Sequence, residues 1–150
     1  MSYIIKEYIK SILKEEEEKD KTLYVFGFVD SLYNYRKDRW NEGVVSDIRK
    51  AVNDPNGITV LCTARSKDEE MVRRTMSRLK TKNIEFDYNI FRGAEIKGTT
   101  PQYKMNAVKS ILDQVKGINK VYFWDDREDV LDAVSYITGS ARYIPIKVKA

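Results

Sequence analysis

Three short uncharged runs, Leu23 to Phe28, Ile58 to Cys62 and Val121 to Trp124, constrain the fold of this chain more than any other feature. A short apolar stretch without polar alternation suits a strand covered on both faces, as in parallel sheets flanked by helices. The segments between the runs have helical period. Val44, Ile48, Ala51 and Val52 share one face, as do Val72, Met76 and Leu79 within residues 67 to 82, and Val108, Ile111, Leu112 and Val115 within 104 to 115. A fourth helix is expected around Val130 to Ile137, and the turn Asp54-Pro55-Asn56-Gly57 stops the first. Glu85 to Ile90 alternates Phe86, Tyr88 and Ile90 with polar residues, as a less buried strand near an edge would. Tyr143 to Val148 reads as a last strand, which Pro145 confines to an edge. Residues 33 to 41 and 93 to 101 read as loops.

Strands alternating with helices specify an α/β fold: one Rossmann-like, doubly wound, mainly parallel sheet with right-handed crossovers. At 150 residues the chain buries roughly two-thirds of its unfolded surface as one domain. The expected division is a helical N-terminal extension over residues 1–20 and an α/β domain over 21–150. Ile4, Ile5, Tyr8, Ile9, Ile12 and Leu13 form the apolar face of that extension, which either packs on the domain or contacts a protein partner.

Composition acts mainly by exclusion. With 42% hydrophobic and 33% charged residues the chain has the make-up of a soluble globular protein, without a run of membrane-spanning length or a cleavable leader pattern. A single cysteine, Cys62, agrees with a reducing, cytoplasmic location and no membrane association. The net charge of +4 tilts the chain only mildly toward polyanions. The absence of histidine decides more, since it excludes a Ser-His triad, a Cys-His pair and His-ligated zinc. Remaining chemistry must use carboxylates, Lys, Ser/Thr or an oxygen-ligated metal.

In doubly wound sheets the ligand site lies beyond the carboxyl ends of the strands, near the reversal of strand order. That rule selects three loops: Gly27-Phe28-Val29-Asp30-Ser31 after the first run, Thr63-Ala64-Arg65 after the second, and Asp125-Asp126-Arg127 after the third. Thr99-Thr100-Pro101-Gln102-Tyr103-Lys104 opens a helix between the last two. This pattern resembles the haloacid dehalogenase (HAD) superfamily, whose four motifs are a strand ending in Asp-x-Asp-x-Thr, a strand ending in Thr or Ser, a Lys, and a strand ending in paired acids. Thr63, Lys104 and Asp125-Asp126 match the last three in order. The similarity is closer to the HAD domain of Swiss Army Knife RNA repair proteins, through Thr63-Ala64-Arg65, Phe86-Asp87, the Thr-to-Lys104 approach and Asp125-Asp126-Arg127, over about residues 23 to 138.

The resemblance implies an aspartate nucleophile that attacks phosphate, a second aspartate two residues on as general acid and base, and magnesium between the first and a fourth-motif Asp. Here the nucleophile position is Gly27 and the acid/base position Val29, so no catalytic residue is intact. Asp30 lies three positions beyond the nucleophile position, and Cys62 sits within an apolar strand with no base to activate it; neither restores covalent catalysis. Thr63, Lys104 and Ser31 are the expected phosphate-binding residues. Asp125 and Asp126 are a weak or vestigial metal site, so no cofactor is expected, or magnesium if the site is active. Loss of two carboxylates leaves a pocket less hostile to an anion. The alternative is that Lys104 only neutralises Asp125 or Asp126.

The gaps between motifs are too short for a cap domain, which implies an open cleft suited to a macromolecule. At its edge Tyr33, Tyr35, Arg36, Lys37, Arg39 and Trp40 interleave rings with charges, as a surface that stacks bases and contacts phosphates would, or as a solvated loop would. Arg73, Arg74, Arg78, Lys80 and Lys82 read as an ordinary helix surface. The expected function is therefore a catalytically inactive relative of nucleic-acid-end phosphatases, retained for binding RNA, phosphate or a macromolecular partner. The alternatives are an active magnesium-dependent phosphatase on RNA ends and a structural protein bound to a ribonucleoprotein.

Overall fold

The first apolar run lies at the centre of the sheet. The computed structural model describes residues 20–150, so the expected N-terminal helix lies outside the described residues. Along the chain, β1 (Lys21–Phe26) is followed by β2 (Tyr33–Asn34), β3 (Arg39–Trp40), α1 (Glu42–Val52), β4 (Gly57–Ser66), α2 (Glu69–Thr81), β5 (Tyr88–Arg92), α3 (Thr100–Gln114), β6 (Ile118–Asp125), α4 (Glu128–Ser135) and β7 (Arg142–Lys147). Five strands form one parallel sheet in the order β5-β4-β1-β6-β7, and β2 and β3 pair as a separate antiparallel hairpin. The expected doubly wound α/β architecture is present.

Period-two alternation along the central strands divides the core in two. Leu23 and Val25 of β1, Val60 and Cys62 of β4, and Val121 and Phe123 of β6 pack with Val108 of α3 and Val130 and Val134 of α4. Phe26, Leu61 and Trp124 face the other way, against Val44, Val45 and Ile48 of α1 and Leu79 of α2. On that second face the Phe26 and Trp124 rings stack at 4.2 Å, and the indole N–H of Trp124 donates to Asp47 of α1 at 3.0 Å. Both faces of β1 are thus covered by helices, which is why its sequence has no polar alternation.

Several boundaries differ from those expected. Helix α3 starts at Thr100, before Lys104, because Thr99 and Gln102 form a reciprocal capping box and Pro101 fits the first turn. Strand β4 runs beyond Cys62 to Ser66, since its pairing with β5 resumes after a register shift between Cys62 and Ser66. In α1 the inward set is Val44, Val45, Ile48 and Ala51, whereas Val52 is 53% exposed at the helix end. The segment 33 to 41 contains the β2–β3 hairpin, with Tyr33 opposite Trp40. Strand β5 begins at Tyr88, and Phe86 is buried just before it. Pro145 lies on an edge strand, as expected. Among the described residues no helix is long and apolar enough to cross a membrane.

Candidate functional site

From β1 the chain moves outward to β4 and β5 and then returns to β6 on the other side of β1. The carboxyl ends of β1, β4 and β6 therefore converge on one crevice. Side-chain parity then determines what faces it. Val121, Phe123 and Asp125 alternate onto the side of β6 that α3 covers, so Asp125 meets Lys104 of α3.

The contact is a buried ion pair: Lys104 Nζ donates to Asp125 Oδ2 at 2.5 Å, with the Asp125 side chain wholly inaccessible. The other Asp125 oxygen accepts the backbone N–H of Arg127 at 3.0 Å. Gly27 follows β1 on the same side. A β-carbon there would lie 2.9 Å from Asp125 Oδ2 and 3.0 Å from Ser31 Oγ. A side chain at position 27 would thus point at the ion pair, and its absence lets Asp125 and Ser31 approach the backbone closely.

Ser31 ties the first loop to the last. Its hydroxyl donates to Asp126 Oδ1 at 3.3 Å and accepts the backbone N–H of Asp126 at 3.1 Å. Burial, and then the neighbouring charge of Asp125, push the Asp126 carboxyl above its ordinary range. The loop is shaped by Asp30, whose left-handed backbone (φ 61°) turns the chain so that its N–H reaches the Tyr33 carbonyl at 2.8 Å. Thr63 Oγ1 accepts the Arg65 N–H at 3.2 Å, and Tyr103 on α3 fixes the Thr63 carbonyl at 3.0 Å.

Val29, Thr63, Arg65, Lys104, Asp126 and Arg127 line an open cleft of about 320 Å³. The structure therefore brings together Thr63, Lys104, Asp125, Asp126 and Ser31, and places Gly27 beneath them. Val29 is 40% exposed at the cleft wall. The hairpin residues do not share one face. Lys37, Arg39 and Trp40 line a second cleft of about 340 Å³ with Asp30 and Ser31, while Tyr35 turns toward Arg65 and α2. Tyr33 is buried, with its hydroxyl bonded to Asp38, and Arg36 is exposed. Cys62 is fully buried, and burial pushes its thiol up to about 12. Phe86-Asp87 has a structural part: Asp87 accepts the Thr59 backbone N–H at 2.8 Å and fixes the approach to β5.

Three site residues stand in the motif stretches but carried no binding role in the sequence reading. Arg65, near the end of β4, and Arg127, just after β6, lie on the cleft wall and Tyr103 lies beneath Thr63; their places in the motif stretches, or one residue before Lys104, were the available signal. The donors do not fit magnesium well. One oxygen of Asp125 is held by an ammonium and the other by a backbone N–H, which leaves Asp126 as the remaining carboxylate of the pair. Among the described residues no cluster of three metal-ligating side chains occurs.

The family model for HAD domain family 1 in Swiss Army Knife RNA repair proteins matches residues 10–140. The chain belongs to that family. Among solved structures this HAD domain is similar to a chain of the Pnkp1/Rnl/Hen1 complex, with 15% identity and a TM-score of 0.64 over 87% of this chain and 47% of that one. A structure of the Pnkp1/Rnl/Hen1 RNA repair complex gives the same identity and TM-score, with 43% of its chain covered. The HAD domain of the effector protein Lem4 from Legionella pneumophila matches at 12% identity and TM-score 0.55, over 88% of both chains. The domain thus spans less than half the length of the Pnkp1/Rnl/Hen1 chains, and at these identities the likeness is one of fold. No match was found among curated protein sequences.

Proposed function

We propose that this HAD domain is a non-catalytic module that binds the terminal phosphate of an RNA strand in the Thr63–Lys104 cleft. The observation that carries the reading is the geometry at Gly27: the position that faces Asp125 and Ser31 has no side chain, and Val29 has no carboxylate, while the surrounding strand ends remain assembled. Covalent phosphoryl transfer needs both missing acids. Anion binding needs neither. Lys104 has three ammonium protons, of which Asp125 takes one, and Lys104 and Arg65 line the cleft with Asp30 and Asp126, while the Arg127 guanidinium at its wall is paired with Asp129 at 2.7 Å. The raised Asp126 carboxyl takes up a proton more readily than an ordinary aspartate would, which lessens its repulsion of an arriving anion. The RNA repair assemblies among the similar folds support a nucleic-acid or protein partner.

The test is a titration of short RNA with a 3'- or 5'-phosphate and of the same RNA with hydroxyl ends. One charge-assisted contact to the phosphate corresponds to about tenfold or more in preference for the phosphorylated end. Thr63→Val, which keeps the ion pair, should reduce that preference, and Lys104→Met should abolish it. Equal affinity of the wild type for both ends, or magnesium-dependent phosphate release that Lys104→Met removes, would overturn the reading.

A further inference from the structure

Beside the phosphate cleft lies a second basic one, about 450 Å³, between α2 and the β2–β3 hairpin. Tyr35, Arg65, Arg73, Arg74 and Arg78 line it. We propose that this cleft holds the phosphodiester backbone of a single-stranded nucleic acid whose end enters the Thr63–Lys104 cleft. The inference deepens the proposed function and rests on it for the position of the strand end, but not for the existence of the groove.

Two of the arginines, Arg65 and Arg78, are held by neutral groups. The Arg78 guanidinium lies over the Tyr33 ring at 4.3 Å and the Tyr35 ring at 5.3 Å; that of Arg65 lies 5.0 Å from the Tyr35 centroid. Arg65 also donates to the Tyr35 hydroxyl at 2.6 Å and to Thr75 Oγ1 at 3.1 Å. These contacts orient two guanidinium groups without cancelling their charge, and each retains N–H donors for a phosphate. Glu70 is the carboxylate that pairs with Arg74, at 2.9 Å, and with Arg73, at 3.9 Å, in exposed contacts of little strength. Among the described residues that line the groove or pair with its lining, four arginines stand against Glu70, so the groove carries net positive charge.

Its geometry favours a strand over other anions. Arg74 and Arg78 stand one helical turn apart on α2, about 6 Å along the axis, so their forks form successive ranks. Arg65 lines both clefts, so the two adjoin at its side chain and a strand that follows the ranks is led toward Thr63 and Lys104. A membrane surface, being flat, does not reach into a concavity. An acidic peptide would use the charge alone, whereas the bases of a single strand can also lie on the guanidinium planes that Tyr35 orients.

The experiment measures binding of a labelled single-stranded RNA of on the order of ten nucleotides, with phosphate or hydroxyl ends, across a salt series. The variants are Arg73→Gln/Arg78→Gln, Tyr35→Leu and Lys104→Met, each checked for folding by circular dichroism. The double arginine variant should weaken both RNAs alike and reduce the slope of log affinity against log salt by about 1.4, that is about 0.7 per lost phosphate contact. Tyr35→Leu should weaken binding with the slope retained. If the arginine variant weakens both RNAs while Lys104→Met has no effect, the groove stands and the end-phosphate reading falls. If only Lys104→Met acts, the groove is refuted and the end-phosphate reading stands. Equal binding of a blunt duplex, or displacement of the RNA by polyglutamate or anionic vesicles at equal charge, would also overturn the assignment.

Discussion

Replacing Lys104 by Met keeps most of the apolar stem and removes the charge, which leaves the inaccessible Asp125 carboxylate with one backbone N–H as its remaining polar contact in the structure. Breaking a buried pair by removing one partner costs about 3–5 kcal/mol, because the other charge stays desolvated. At this chain length each kcal/mol corresponds to roughly 2–4 °C, so Tm should fall by about 6–20 °C. Adding Asp125→Asn removes the stranded charge but retains an oxygen for the Arg127 N–H. The double variant should therefore recover most of the loss, with a coupling of about 2–4 kcal/mol in a double-mutant cycle. Urea unfolding of all four proteins at neutral and mildly acidic pH provides the measurement. A deficit below about 1 kcal/mol, or no recovery in the double variant, would refute the argument that Asp125 depends on Lys104 for its charge.

Three further outcomes follow from the same geometry. Thr99→Ala removes the α3 cap and its capping box and should cost about 1 kcal/mol with no change in the denaturant slope. The raised Asp126 carboxyl means that the folded chain binds a proton more readily than the unfolded one. Its contribution therefore lowers stability as pH rises from about 3.8 through the raised folded value, and Asp126→Asn should be the more stable protein at neutral pH, with the difference vanishing in acid. Cys62, fully buried and shifted to about 12, should react with a thiol reagent at the rate of unfolding; fast labelling of the native protein would contradict its placement.

The parts of this fold that could be read from sequence are those where local pattern and tertiary burial agree. Strands β1, β4 and β6 carry residues for two cores at once, so continuous apolar runs announced them. The β2–β3 hairpin has two residues per strand, too few for a periodic signal, and is shaped by the left-handed Asp30 and by the Tyr33–Trp40 pairing. The polar end of β4 was missed because its pairing with β5 is interrupted. At the candidate site the sequence named both acids, and parity along β6 could have selected Asp125 as the partner of Lys104. The gathering of Tyr35 and Arg65 with the arginines of α2 had no such signal, because it depends on how the hairpin packs over that helix.

Pro145 bears on assembly as well as on strand order. The N–H of Val148 donates to the Asp125 carbonyl of β6, so even-numbered residues of this stretch direct their donors inward. Pro145, of opposite parity, therefore lies with its ring nitrogen on the open side of β7, where an additional strand would seek a donor at mid-length and find none. That side of the sheet resists extension by another chain. A partner that docks by strand addition is directed to β5 at the far edge, on the side of the sheet where β4 carries Thr63 and Arg65.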